Sequence, residues 1–365
     1  MTQPELSATE QYLTGFRDSS CSMIANLETQ VNSYHASGNI FLPTTLNERE
    51  YDNSYVCSPY TALVPYCLQE LGKLDSRLLR FLLSRMIKLL DKFLKKNRIN
   101  QILHINNWML STNLYPEDMQ DVDLKKMTKD AITSHPQHVV ILRSLNVYLN
   151  SELMKGFKTA GYILAPSRQI YLYNKSLKDY TQTHNYKIDK KLLEKTDYQY
   201  VPQSDIRKQD YPRIVALYNM LYIDKYSEHN PQFTEKYIAT IIDHPNFYLE
   251  GFRNRNGVLD AVGGRFTLGS TTTLPIVGYD ISLPKRSGLY RLVLISTLLY
   301  VECNNMTFNA SSGASHFKLL RGAVPYIEYS AVYVNHLPKS RQRVWKGLAF
   351  VLDRLFVPLM KKYQL

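Results

Sequence analysis

What this chain lacks narrows its chemistry first. Its four cysteines, Cys21, Cys57, Cys67 and Cys303, show no Cys-x-x-Cys or other ligand spacing. They read as small core residues in a reducing compartment, and no metal site is expected. No run of about 18 uninterrupted apolar residues occurs, so no membrane-spanning helix is expected. The polar opening MTQPELSATEQ has no apolar core segment, so no signal peptide is expected and the expected location is the cytoplasm. Also missing are the nucleophile elbow Gly-x-Ser-x-Gly, the Walker loop, His-Glu-x-x-His and the dinucleotide Gly-x-Gly-x-x-Gly. Serine hydrolase, phosphoryl transferase and zinc enzyme readings lose their support.

What is present starts with size and charge. At 365 residues the chain exceeds the single-core limit of about 250–300, so two domains are expected. A hydrophobic content of 44% is ordinary for a globular chain. The formal charge of +12 points to an anionic partner. Nucleotide phosphates, the phosphopantetheine arm of a coenzyme or acyl carrier protein, tRNA and an anionic membrane face all qualify. Because Lys and Arg are spread along the chain, a generally basic surface is the competing reading.

Five segments emerge. Residues 1–50 read as a polar leader, with Met23, Ile24, Leu27, Val31 and Tyr34 on one helical face. Residues 51–174 form a first domain. Within it 54–71 reads as strand and loop around Pro59 and Pro65, followed by a long helix with Asp75 as N-cap. Two apolar rows run along that helix, Leu78, Leu82, Met86, Leu89, Phe93 and, beside them, Leu79, Leu83, Ile87, Leu90, Leu94, which predicts a packed helix. Strands are expected at 101–110, 138–146 and 162–174, and helices at 116–133 and 151–161. The lysine-rich span 175–195 reads as a connection, and 196–338 as a second domain. There, helices at 210–226 and 235–245 precede a 247–269 hairpin turning at Asn256-Gly257, then a strand at 273–283. Residues 339–365 form a terminal helix with an apolar stripe and basic ends, which either docks on the protein's own core or lies on an anionic membrane.

The segment 288–333 carries the chemistry. It reads as helix, strand, Ser/Gly turn, short basic helix and strand, an order that places ligands where a sheet edge meets a helix start. Lys285, Arg286, Ser287, Gly288 and Arg291 stand at the opening of the first helix, where bare amides and the helix dipole attract phosphate. A capped helix with a basic first turn is the plain alternative. On the acceptor side stand Asn309, Ser311, His316 and Lys318, groups able to orient an amine or pass a proton. Turn chemistry alone would also explain them. Tyr279 and Asp280 precede the basic turn, Asp280 as an acceptor base or as a partner of Arg291. In the first half His104, Asn106, Asn107 and Trp108 line a cavity or are satisfied polar groups within a sheet.

The order of elements in 288–333, with the rhythm Gly313, Phe317, Lys318, Gly322, resembles the close of a GCN5-related N-acetyltransferase (GNAT) domain of the Fem-like, double-GNAT kind. The stretch VILRSLNVYLNSELMKGFKTAGYILAPSRQIYLY is similar to the close of a first such domain. The resemblance implies an α/β (α+β) fold of two GNAT-like domains, each a mixed, partly splayed sheet flanked by helices. It implies transfer of an acyl or aminoacyl group from acyl-CoA, a carrier-protein thioester or a tRNA ester to a small amine, with the second half catalytic. In that family the turn before the helix reads Gln/Arg-x-x-Gly-x-Gly/Ala and holds the coenzyme A pyrophosphate. Lys285 and Gly288 match, but Tyr290 replaces the small residue, which favours a different donor or a silent copy of the fold.

Overall fold

The computed structural model describes residues 7–36, 40–73, 76–175 and 177–364. Two compact units divide the chain: one holds residues up to Gln169, 229–231 and 327 onward, the other 170–228 and 232–326. The boundary cuts through strands rather than falling in the span 175–195.

In the first unit, α1 (Ala8–Asp18) precedes β1 (Gln30–His35) and β2 (Phe41–Asn47). Next come the long α2 (Arg77–Lys96), β3 (Ile102–Ile105), α3 (Leu124–Ser134), β4 (Val139–Asn146), α4 (Ser151–Thr159) and the start of β5 (Ile163–Tyr173). Its strands lie in the order β1-β2-β3-β4, then the last strand of the chain, then β5. β3 and β4 are parallel, Ile102 opposite Val139, and α3 supplies the crossover. Alternation along these strands feeds two cores. Ile102, Val139 and Ile141 join Leu83, Ile87 and Leu94 of α2, while Leu103, Val140 and Leu142 join Met127, Ala131 and Phe157. The sheet is therefore covered on both faces, as a parallel step requires.

The second unit takes up β5 at Ile170 and continues through α5 (His184–Lys195), β6 (Gln199–Val201), α6 (Tyr211–Asn219) and α7 (Glu235–Ile241). The meander β7 (Phe247–Arg253), β8 (Leu259–Leu268), β9 (Thr271–Tyr279) follows. Then come α8 (Leu289–Cys303), β10 (Thr307–Asn309) and α9 (Ser315–Leu319), before β11 (Val324–Tyr333) and α10 (Lys339–Val351) return the chain to the first unit. Strand order here is β5-β10-β9-β8-β7-β6. β9 and β10 are parallel across α8, and β10 is antiparallel to β5. Strand, helix and parallel strand thus recur in both units, with an antiparallel strand beside the second of each pair, β11 beside β4 and β5 beside β10.

Several local expectations are corrected. Gln30–His35 and Phe41–Asn47, read as leader, form the antiparallel pair β1–β2, and only Ser20–Met23 is helical where an amphipathic helix was expected. Pro59 and Pro65 do not break structure; each opens a short helix, where a missing N–H costs nothing. The 101–110 strand stops at Ile105 because Asn106 turns left-handed, with φ 58°. Asp75 lies outside the described residues, and Ser76 caps α2 by accepting from the Leu79 amide. Of the two apolar rows on α2 the core takes the second, with Leu83, Ile87 and Leu94 buried and Leu79 and Leu90 partly so; in the first, Met86 is partly buried and Leu78, Leu82, Leu89 and Phe93 are exposed. Among the described residues no helix is long and apolar enough to cross a membrane, and no cluster of His, Cys, Asp or Glu is placed to hold a metal ion.

Candidate functional site

The sheet of the second unit parts where β9 leaves β10. Thr271, Thr272 and Thr273 pair with Thr307, Phe308 and Asn309, and the ladder ends there. β9 runs on to Tyr279, held on its other side by β8 with Ala261 opposite. The split has a local cause. After Asn309 the chain turns through left-handed Ser311, Gly313 and Ala314, with φ of 57°, 76° and 47°, and leaves the sheet. Among the described residues, Leu274–Tyr279 therefore keeps one edge without a neighbouring strand, and its backbone polar groups there need partners.

Beyond Tyr279 the chain makes a tight turn over Lys285–Ser287 and enters α8 at Gly288, whose φ of 68° calls for glycine. No side chain caps α8, so no side-chain hydrogen bond satisfies its first-turn amides at the positive end of the dipole. Lys285 and Arg286 are exposed. The ground above Gly288 is taken: a Cβ there would lie 2.6 Å from Leu192 Cδ2 of α5. Leu192 packs with Leu289, Tyr279 and Tyr290, and the Tyr290 ring stands 5.0 Å from Phe317. Burial pushes the Tyr290 phenol well above its ordinary range. Aliphatic and aromatic side chains thus crowd the turn at Gly288, where the basic turn led us to expect a pyrophosphate seat.

Arg291 is engaged by a carboxylate. Its Nε donates to Asp189 Oδ1 at 2.7 Å, and Arg321 grips the same carboxylate through Nε at 2.7 Å and Nη2 at 3.0 Å. The Tyr180 hydroxyl adds a fourth bond at 2.9 Å. Burial pushes the Asp189 carboxyl up, but the arginine hydrogen bonds outweigh it and hold the group below its ordinary value. This clamp ties α5 to α8 and so keeps Leu192 over Gly288. The partner foreseen for Arg291 was Asp280; Asp280 instead accepts from Arg213 Nη2 at 2.8 Å and from Ser282. Burial raises the Asp280 carboxyl, and these bonds more than reverse that, leaving it below the usual range and a weak base.

The turn after β10 is built from the inside. The Lys318 ammonium donates to the carbonyls of Ala310, Ser311 at 3.2 Å and Ser312 at 2.9 Å. It holds the left-handed turn together and is not a free catalytic amine. Asn309 is buried, its Oδ1 accepting from the Ser311 amide at 3.0 Å. Ser311 is half-buried and His316 exposed. Tyr279, half-buried, has its phenol raised by burial. The structure brings Tyr279, Gly288 and Tyr290 to one place, while Asp280 turns toward Arg213.

In the first unit, His104, Asn106, Asn107 and Trp108 are all buried. Trp108 Nε1 donates to Asn106 Oδ1 at 3.0 Å, and Asn107 Nδ2 to Thr45 Oγ1 at 2.9 Å. Burial, with Arg143 adding to it, holds His104 well below its ordinary pKa and so neutral. These are satisfied polar groups, His104 within β3 and the other three in the buried turn that follows it. The sequence reading missed Asp189, Leu192, Arg213 and Arg321; a lone Asp amid the lysines of 187–195 was the one available signal. It also missed a cleft of about 590 Å³ in the second unit, where Arg265 lies between the rings of Tyr248 and Tyr300 and pairs with Glu250 at 2.9 Å. Its α8 lining residues, Ser296 and Tyr300, stand eight and twelve residues beyond Gly288, roughly 12 and 18 Å along the helix.

No family model matches the chain, and no curated protein matches its sequence. Solved structures share its fold. The C-terminal domain of a candidate lysylphosphatidylglycerol synthetase from Agrobacterium fabrum aligns with 95% of this chain and 92% of its own, at 10% identity and a TM-score of 0.53. L-PGS from Bacillus licheniformis aligns with 68% of this chain and 83% of its own, at 14% identity and a TM-score of 0.49. FemX covers the same shares at 8% identity and a TM-score of 0.48. The fold class is α/β, with mixed parallel and antiparallel strands in both units, and it is shared with the Agrobacterium fabrum structure.

Proposed function

We propose that this chain is a GNAT-type transferase that moves an aminoacyl or acyl group from an ester or thioester donor to an amine. The observation that carries this reading is the free β9 edge, Leu274–Tyr279, opening beside the uncapped start of α8. Transfer to an amine needs alignment, a proton acceptor and support for the developing oxyanion. Edge amides supply the first and third. The amine nitrogen attacks the donor carbonyl, the C–N bond forms, the bond to the leaving oxygen or sulfur breaks, and the leaving atom takes the proton that the amine releases. Asp280 is too well stabilised to take that proton readily; the imidazole of exposed His316, after β10, is the group assigned to accept it.

Among donors we rank coenzyme A last, because Leu192 and the large Tyr290 crowd the turn at Gly288. A tRNA ester or a carrier-protein thioester brings no pyrophosphate to Gly288. The name of the Agrobacterium fabrum neighbour denotes making lysylphosphatidylglycerol, an aminoacyl ester, which supports an aminoacyl donor. We therefore place aminoacyl-tRNA first, with exposed Lys285 and Arg286 meeting its phosphates. The test mixes the protein with total tRNA charged with labelled amino acids and a panel of amines. Label should move into acid-stable amides, and reversing both charges (Lys285→Glu with Arg286→Glu) should slow this at least about tenfold and flatten its salt dependence. No transfer above background to any amine overturns the reading. A second reading, a catalytically silent binding protein, is favoured by the same crowding at Gly288, and that outcome would support it.

A further inference from the structure

The long helix α2 shows two faces. Leu83, Ile87 and Leu94 are buried in the core of the first unit, where Val344, Trp345 and Ala349 of α10 join them. On the other side Leu78 is 69% and Leu89 79% exposed, and Phe81, Leu82 and Phe93 are exposed with them. Positions 78, 82, 89 and 93 recur at helical spacing, so this is one apolar stripe and not scattered residues. Soluble surfaces seldom leave such a stripe uncovered.

Charge says what would cover it. Arg85, Lys88, Lys92 and Lys96 are exposed along α2, and so is Arg77 at its start. The helix has a single acidic residue, Asp91, which is already engaged by Lys95 at 3.0 Å and by the Tyr60 hydroxyl at 2.7 Å. On the C-terminal segment, which shares the same core, Phe350 and Leu355 are exposed beside Lys346, Arg354 and Lys361. A second copy of this chain would bring cations against cations. An apolar strip rimmed by cations, on a helix already folded and held flat by its buried side, has the make-up of an interfacial helix.

We propose that α2 docks the first unit on an anionic lipid bilayer. Leu78, Phe81, Leu82, Leu89 and Phe93 enter the boundary between headgroups and acyl chains, and the flanking Lys and Arg meet lipid phosphates and carboxylates. This goes beyond the proposed transferase activity and does not depend on it. The expectation of membrane contact at 339–365 thereby moves mainly to α2, because most of the apolar stripe on α10 is spent in the core.

The full chain is floated with vesicles of phosphatidylcholine alone and of equal parts phosphatidylcholine and phosphatidylserine. Binding is expected to the anionic vesicles and to be weak on the neutral ones, with each neutralised cation at the surface costing about fivefold. Leu82→Glu with Leu89→Glu lies on exposed positions and should leave the circular dichroism and melting temperature unchanged while weakening binding at least about tenfold. Lys88→Glu with Lys92→Glu should weaken it at least about 25-fold without touching the apolar stripe. Absence of binding, equal binding to neutral vesicles, or undiminished binding by both variants overturns the proposal. So does self-association in sedimentation that the leucine substitutions abolish, since the stripe would then belong to a dimer.

Discussion

Replacing Asp189 by Asn keeps the shape of the side chain and removes the charge that two arginines share. Asp189 is almost wholly buried, as is Arg321, whereas the Arg291 side chain is 29% exposed. Losing one partner of a buried ion pair costs about 3–5 kcal/mol. Because Arg291 keeps solvent to fall back on, about 3 kcal/mol is expected, the lower end. Native-state hydrogen exchange reads this directly: amides of α8 should open roughly a hundredfold more often in Asp189→Asn. Acidity supplies a second reading. The folded-state carboxyl lies below its unfolded value, so its stabilisation is complete above the unfolded pKa of about 3.9 and is lost as pH falls through the folded one. The gap between wild type and variant should therefore be constant near neutrality and close below about pH 4. A change under about 1 kcal/mol, or a gap that opens as pH falls, would refute the clamp.

Three further outcomes are expected. Gly278→Ala should destabilise the second unit by about 1–3 kcal/mol in urea unfolding, since a Cβ there meets the α6 backbone at Leu217 and Tyr218 at 2.5 Å; wild-type stability would mean that α6 yields freely. Glu328→Gln strands Arg168, which now donates through Nε at 2.9 Å and Nη2 at 3.3 Å; a loss of about 3 kcal/mol in the stability of the first unit is expected, and unchanged unfolding would contradict the pairing. Burial pushes the Cys57 thiol up to about 11, whereas Cys21 and Cys303 are exposed; iodoacetamide at mildly alkaline pH should alkylate the exposed pair and spare Cys57 until the protein unfolds.

Much of the second unit was legible in the sequence because its signals are local. Asn256-Gly257 turns the β7–β8 hairpin, Gly288 takes its left-handed φ at the mouth of α8, and Gly322 ends the short helix after the Ser/Gly turn. What escaped depends on contacts distant along the chain. Leu192 reads as one apolar residue in a lysine-rich span, and nothing near it says that it will cover Gly288. Arg291 and Lys318 looked free for chemistry because Asp189 and the carbonyls of 310–312 meet them only in three dimensions. The β1–β2 hairpin was misread since β1 is a half-exposed edge strand with few apolar residues to betray it. On α2 the periodicity marked two apolar rows correctly but could not say which row the core would take.

The transfer site is tested most directly by hydrogen exchange over Leu274–Tyr279 and Leu289–Arg291, measured with charged tRNA, uncharged tRNA and coenzyme A. Slower exchange along the β9 edge with charged tRNA, and no change at either segment with coenzyme A, is the expected result. Protection of Leu289–Arg291 by coenzyme A, or a β9 edge indifferent to charged tRNA, would contradict it.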